Sequence, residues 1–300
     1  MHPAPLEPGV WGVVATPFSG STLAVDETSL ARLVEHYERA GVTGLTVLGV
    51  FGEAAALDTQ ERRAVLETVA DTVDLPLVVG ATSLATAPVI EEVRLAREVL
   101  GDRLAGAMVQ VSSPDPEVLA AHLRAVHEAT GAGIVVQDYP LVSGVNIRAD
   151  VLARALEPLP FVVAVKAEAP PTPPAVATLT QALGIPVFGG LGGLGLLDEL
   201  AAGSAGAMTG FSFPEGLLAC VRAWREGGYE AAREAWLGYL PLVNFEQQVR
   251  IALAVRKECL RQRGLILESG VRAPAASMPA SLLDQLKRHL AAVPQPVGVR

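Results

Sequence analysis

The sequence is poor in cysteine and has no long apolar run, and each shortage removes a class of protein. Cys220 and Cys259 are its two cysteines. They match no metal-site spacing, and two lone thiols fit a reduced, cytoplasmic protein. No apolar run reaches the ~18 residues of a membrane span. Residues 1–8 carry no basic stretch followed by an apolar one, so no secretory signal is read. No G-x-G-x-x-G follows the first strand, which counts against a dinucleotide-binding open sheet. The net charge of −9 argues against a nucleic-acid partner, because phosphates need a basic face. The five histidines, His2, His36, His122, His127 and His289, fall in the tail or in helical stretches. Neither a metal site nor a histidine-based triad is expected, and no cofactor.

What is present is a large apolar fraction. Of 300 residues, 50% are hydrophobic and 18% charged, enough for one large barrel or two ordinary domains. Short apolar runs suggest strands at 12–15, 45–48, 77–80, 106–109, 134–137, 162–166, 187–189 and 205–209. Amphipathic helices are predicted between them at 27–40, 59–72, 87–100, 117–130, 149–156, 175–183 and 194–201. Strands separated by such helices indicate βαβ units, and eight units indicate a closed (β/α)8 TIM barrel. Further helices are expected at 214–226, 229–245, 248–263 and 281–292. The organisation expected is a barrel over 9–228 and a C-terminal helical region over 229–295.

Barrel active sites lie at the C-terminal ends of the strands. There the run Phe161-Val-Val-Ala-Val-Lys166-Ala-Glu168 stands out. A buried strand that ends in an ammonium group needs a reason, because desolvating a charge is costly. A lysine can respond by losing its proton, and a neutral amine attacks carbonyls. The chain has 23 basic residues, yet its lysines are Lys166, Lys257 and Lys287 alone, and Lys166 is the one in the barrel part. Arginine cannot take this role. Glu168 is two residues on and faces the same way if the strand persists, so it is a candidate base. The plainer alternative is a buried ion pair of Lys166 with Glu168 or Glu53. The loop Gly189-Gly-Leu-Gly-Gly193 could cradle a phosphate, but no Lys or Arg lies near it in sequence.

In order along the chain, Val14-Ala-Thr-Pro-Phe18, Gly49-Val-Phe-Gly-Glu53, Pro140-Leu-Val-Ser-Gly144, Lys166 and Gly189-Gly190 resemble the motifs of the dihydrodipicolinate synthase / N-acetylneuraminate lyase family. The resemblance covers about residues 9–290. It implies a class I lyase in which Lys166 forms an imine with a 2-oxo acid. It also implies that backbone N–H groups at Val50 and Phe51 bind the substrate carboxylate, with Gly49 and Gly52 allowing the turn. Gly190, Ser143, Met208 and Thr209 are further expected at the substrate, with Ser143 or Thr209 orienting water or the leaving group. A homotetramer is implied.

Departures from the family pattern point away from the lysine-pathway synthases. Gln137 stands where they carry a strand-five tyrosine, and it cannot shuttle a proton as a phenol does. Tyr139 is expected to face inward only if the register slips. Val50 and Phe51 replace the hydroxyl residues of the second loop. Ser112 and Ser113 replace paired tyrosines, and Val142 replaces an arginine. The Gln-Asp end of strand five and the Lys-x-Glu pair resemble the branch that dehydrates or cleaves 2-keto-3-deoxy sugar acids. The expected reaction is dehydration or aldol cleavage of such an acid, with Lys166, Glu168 and Gln137 at its centre. The alternatives are pyruvate condensation of the 4-hydroxy-tetrahydrodipicolinate synthase type and a non-catalytic 2-oxo acid sensor.

Overall fold

In a computed structural model, which describes residues 3–294, eight parallel strands close into a barrel. They are β1 (Gly9–Val13), β2 (Gly44–Val47), β3 (Leu77–Ala81), β4 (Leu104–Gln110), β5 (Ile134–Asp138), β6 (Val162–Ala167), β7 (Val187–Gly189) and β8 (Gly206–Thr209). Pairing of β1 with both β8 and β2 seals the cylinder. Around it lie α1 (Glu27–Ala40), α2 (Thr59–Thr72), α3 (Thr86–Leu100), α4 (Pro116–Thr130), α5 (Ala149–Leu156), α6 (Thr172–Leu183), α7 (Leu196–Ala201) and α8 (Pro214–Leu237). Three more helices follow: α9 (Leu240–Glu246), α10 (Ala252–Gln262) and α11 (Leu283–Ala292). Among the described residues no helix is long and apolar enough to cross a membrane.

The strands read as near-continuous apolar runs because helices cover one face and the barrel interior fills the other. Trp11, Val78, Met108, Val163, Phe188 and Met208 belong to the cluster that fills the interior. The N-terminal segment closes the lower end: Leu6 N–H donates to Val163 O at 3.1 Å. The helices start where the sequence caps them. Asp58 and Glu61 form a reciprocal capping box on α2, and Asp115 caps α4 ahead of Pro116.

Several boundaries differ from the sequence reading. The first strand occupies Gly9–Val13, not 12–15, because the chain then leaves the barrel for a ribbon pairing Phe18–Ser19 with Ala24–Val25. The helices expected at 214–226 and 229–245 form one element, α8, interrupted at Gly228 with φ +70°. It stops at Leu237, and α9 begins after Gly238. The helix expected from 248 begins at Ala252, since Arg250 has φ +72°, which a right-handed helix excludes. His2 and residue 295 lie outside the described residues.

The C-terminal region is fastened to the barrel top by a buried ionic cluster. The fully buried Lys257 of α10 pairs with Glu53 Oε1, donates to Gly270 O at 2.9 Å, and lies 4.1 Å from the centre of the Phe18 ring. Arg272 N–H donates to the other Glu53 oxygen at 2.8 Å, and its guanidinium meets Glu61 at 2.5 Å. Burial draws the Lys257 ammonium below its usual range, and the Glu53 charge opposes that. Removing one partner of a buried pair leaves an uncompensated charge. Lys257→Met is therefore expected to cost about 3–5 kcal/mol in denaturant unfolding. Adding Glu53→Gln to it should recover part of the loss.

Candidate active site

A cavity of about 170 Å³ opens at the C-terminal ends of the strands. Lys166, buried near the end of β6, lines it. Its Nζ is 3.2 Å from Glu168 Oε2, and Gln137 Nε2 donates to the same oxygen at 2.7 Å. The other Glu168 oxygen accepts the Leu191 N–H at 3.1 Å. Glu168 lies just past β6, yet its N–H donates to Asp138 O at 2.9 Å. Pairing with the neighbouring strand thus continues long enough to keep Lys166 and Glu168 on one face. Glu53, the other partner considered for Lys166, is engaged by Lys257 instead.

Gly49, Val50 and Phe51 line the same cavity. Val50 and Phe51 N–H groups have no backbone acceptor among the described residues. Their loop is bracketed by Leu48 at φ +55° and Glu53 at φ +53°, and Leu191 has φ +48°. Left-handed non-glycine residues cost of order 1–3 kcal/mol and persist only when neighbours fix them. At Glu53 the fixing groups are Lys257 and the Arg272 N–H.

Other expected residues sit differently. Ser143 does not line the cavity: its hydroxyl donates to Tyr139 O at 3.2 Å and accepts the Val145 N–H at 3.2 Å, so a turn consumes it. Met208 packs into the barrel interior below. Gly190 makes room for another group, since a Cβ there would strike the Glu168 carboxylate. Thr209 does line the cavity and accepts the Gly192 N–H at 2.7 Å. Tyr139 lines it as well, and no register slip is needed. It stands two residues after Gln137, so strand alternation carries both side chains inward.

Thr46, Gln247 and Arg256 also line the cavity, and sequence reasoning missed them. Thr46 was findable as a hydroxyl two residues before the end of a strand pattern. Gln247 and Arg256 arrive from the C-terminal region with no local signal. The Gly189–Gly193 loop has no cation near it in sequence but does have one in space: a Cβ on Gly192 would meet the Arg256 guanidinium at 2.6 Å.

Carboxylates crowd this end of the barrel. Burial, helped by the Glu168 charge, raises Asp138 to about 6. Burial also raises Tyr139, with Glu168 adding to it, so the phenol holds its proton. Glu199, fully buried and accepting from Thr172 Oγ1 at 2.5 Å, is raised to about 7 mainly by burial.

A (β/α)8 barrel with a buried lysine and a carboxylate at its mouth has the form of a Schiff-base lyase. A sequence profile described as the Dihydrodipicolinate synthetase family matches residues 7–293. The chain belongs to that family and is a class I lyase acting on small molecules. It is 32% identical over 286 residues to an L-2-keto-3-deoxyarabonate dehydratase of Azospirillum brasilense, covering 90% of this chain and 89% of that one. It is 31% identical over 240 residues to a 4-hydroxy-tetrahydrodipicolinate synthase of Methanothrix thermoacetophila, covering 79% and 80%. The crystal structure of dihydrodipicolinate synthase from Rhodopseudomonas palustris superposes with a TM-score of 0.89 at 29% identity, covering 98% and 100%.

Two outcomes are expected. Gly190→Ala should push the Glu168 carboxylate off Lys166 and lower kcat by about 10-fold or more, the scale of a misplaced catalytic group, with thermal unfolding checking that the fold survives. For Glu199, stability linked to its proton is fully present below 4.5, declines between 4.5 and about 7, and is lost above. Glu199→Gln should therefore match the wild type near pH 4.5. By pH 8 it should be the more stable, by up to on the order of 3 kcal/mol in urea unfolding.

Proposed function

We propose that this lyase dehydrates or cleaves a 2-keto-3-deoxy sugar acid bound as an imine to Lys166. The observation that carries the reading is the Lys166–Glu168–Gln137 unit at the cavity wall. Glu168 holds the amine through one oxygen and is itself held from both sides, so it is oriented to accept a proton. Free N–H groups at Val50 and Phe51 suit the substrate's C1 carboxylate.

In this reading the Lys166 amine adds to C2 and water leaves, giving an iminium. Glu168 takes a proton from C3, and its electron pair forms an enamine. The enamine expels the C4 hydroxyl, which leaves as water with a proton from a general acid. Tyr139, protonated and in the cavity, and Thr209 are the groups available to give or orient that proton. Water then releases the product from Lys166, so the net change is loss of one water. In aldol cleavage the same iminium accepts the electrons of the C3–C4 bond and the C4 hydroxyl loses its proton. The dehydratase relative at 32% identity supports the first route. A homotetramer is part of the proposal.

Borohydride reduction in the presence of pyruvate should add one covalent mass at Lys166, located by peptide mass spectrometry, and none in Lys166→Ala. A panel of 3-deoxy-2-oxo acids should yield a semialdehyde if the enzyme dehydrates, or pyruvate and an aldehyde if it cleaves. A failure to trap under conditions that label a control aldolase would remove the imine. Turnover that persists in Lys166→Ala would also remove it.

A further inference from the structure

The cavity has a second polar wall, opposite in chemistry to the Lys166–Glu168 pair. Gln247 follows α9 and Arg256 lies on α10, and both line the cavity. Arg256 is 9% exposed, and its Nε and Nη2 have no hydrogen-bond partner among the described residues. The buried Gln247 Nε2 is equally unpartnered. Buried donors without acceptors are costly and uncommon, and here two of them, Arg256 Nη2 and Gln247 Nε2, converge on one place. That place is Gly192, whose missing side chain leaves the space: a Cβ there would strike Gln247 and meet Arg256. Glu246 lies 3.5 Å from Arg256 Nε and steadies the guanidinium, while Phe51 stacks 5.3 Å from its carbon.

We propose that Arg256 and Gln247 bind a carboxylate at the far end of the substrate. This rests on the imine at Lys166 and makes the substrate a 2-oxo acid with a second terminal carboxylate. A guanidinium fork and an amide suit the two oxygens of a carboxylate. A phosphate fits less well, because four successive amides of the neighbouring loop are already given within the protein. Leu191 N–H is given to Glu168, Gly192 N–H to Thr209, Gly193 N–H to Gly190 O and Leu194 N–H to Leu191 O. A neutral sugar tail would leave the guanidinium charge buried without a ligand anion. The anchor serves equally whether the carbon chain arrives whole or is joined at the imine.

The test is borohydride trapping of the full-length wild-type protein with single 2-oxo acids, read as the concentration giving half-maximal adduct by intact mass. Pyruvate is compared with 2-oxoglutarate and 2-oxoadipate, with neutral 2-oxo acids of equal length, with a hydroxylated neutral one, and with the phosphonate analogue of 2-oxoglutarate. At least one dicarboxylic acid should trap at about 10-fold lower concentration than its neutral counterpart, the worth of charge-assisted hydrogen bonds. That ratio should fall to about 1 in Arg256→Met, shrink in Gln247→Leu and persist only in part in Arg256→Lys, which keeps the charge but not the fork. A wild-type protein that traps pyruvate but shows no dicarboxylate preference overturns this inference alone. So does a preference for the hydroxylated or phosphonate compound, or a ratio unchanged in Arg256→Met. Failure to trap any 2-oxo acid overturns the imine reading and this one together.

Discussion

The contact on which the upper half of the molecule depends is the buried pair between Glu53 and Lys257. Glu53 ends the loop whose Gly49, Val50 and Phe51 line the cavity, and Lys257 follows Arg256 on α10. One carboxylate therefore fixes a strained turn, holds a helix from the C-terminal region and sets the place of the neighbouring guanidinium. Neither ion lines the cavity, yet the loop Gly49–Phe51 and Arg256, which do, are positioned by them. Two of the lysines show that burial alone does not mark a reactive amine. Lys257 is more deeply buried than Lys166 and is saturated by Glu53, Gly270 and the Phe18 ring. Lys166 opens to space on one side.

The carboxylate of Glu168 is treated differently from that of Glu53. Its oxygens are divided between an ammonium and an amide on one side and a backbone N–H on the other. None of these partners is an arginine, so no bidentate clamp locks the charge in place. Gly190 keeps the space behind it empty of side chain. Asp138 and Glu199 are close enough to feel its charge, which adds to burial in raising both carboxyls toward neutrality.

Much of the fold was legible because parallel strands buried on both faces read as plain apolar runs. All eight observed strands overlap the ones expected, and the run ending at Lys166 was visible for the same reason. Strand alternation likewise joined Glu168 to Lys166. The same spacing brings Tyr139, two residues after Gln137, to the cavity wall. Ser143 looked like a site residue but belongs to a turn, as serine near a glycine often does. The part that was illegible is the part built from distant segments. Glu53 and Lys257 are 204 residues apart, and the position of Arg256 follows from theirs. No periodicity within a window could announce it.

Placing Arg256 and Lys257 side by side on α10 has a consequence for how this scaffold can be recombined. The helix that reaches the cavity and the helix that braces the turn after β2 are one helix, so they cannot be exchanged independently. A chimera with its crossover between β8 and α10 would inherit a turn from one parent and its brace from the other. The smallest transplantable module is the β2 turn together with α10 and the segment through Arg272.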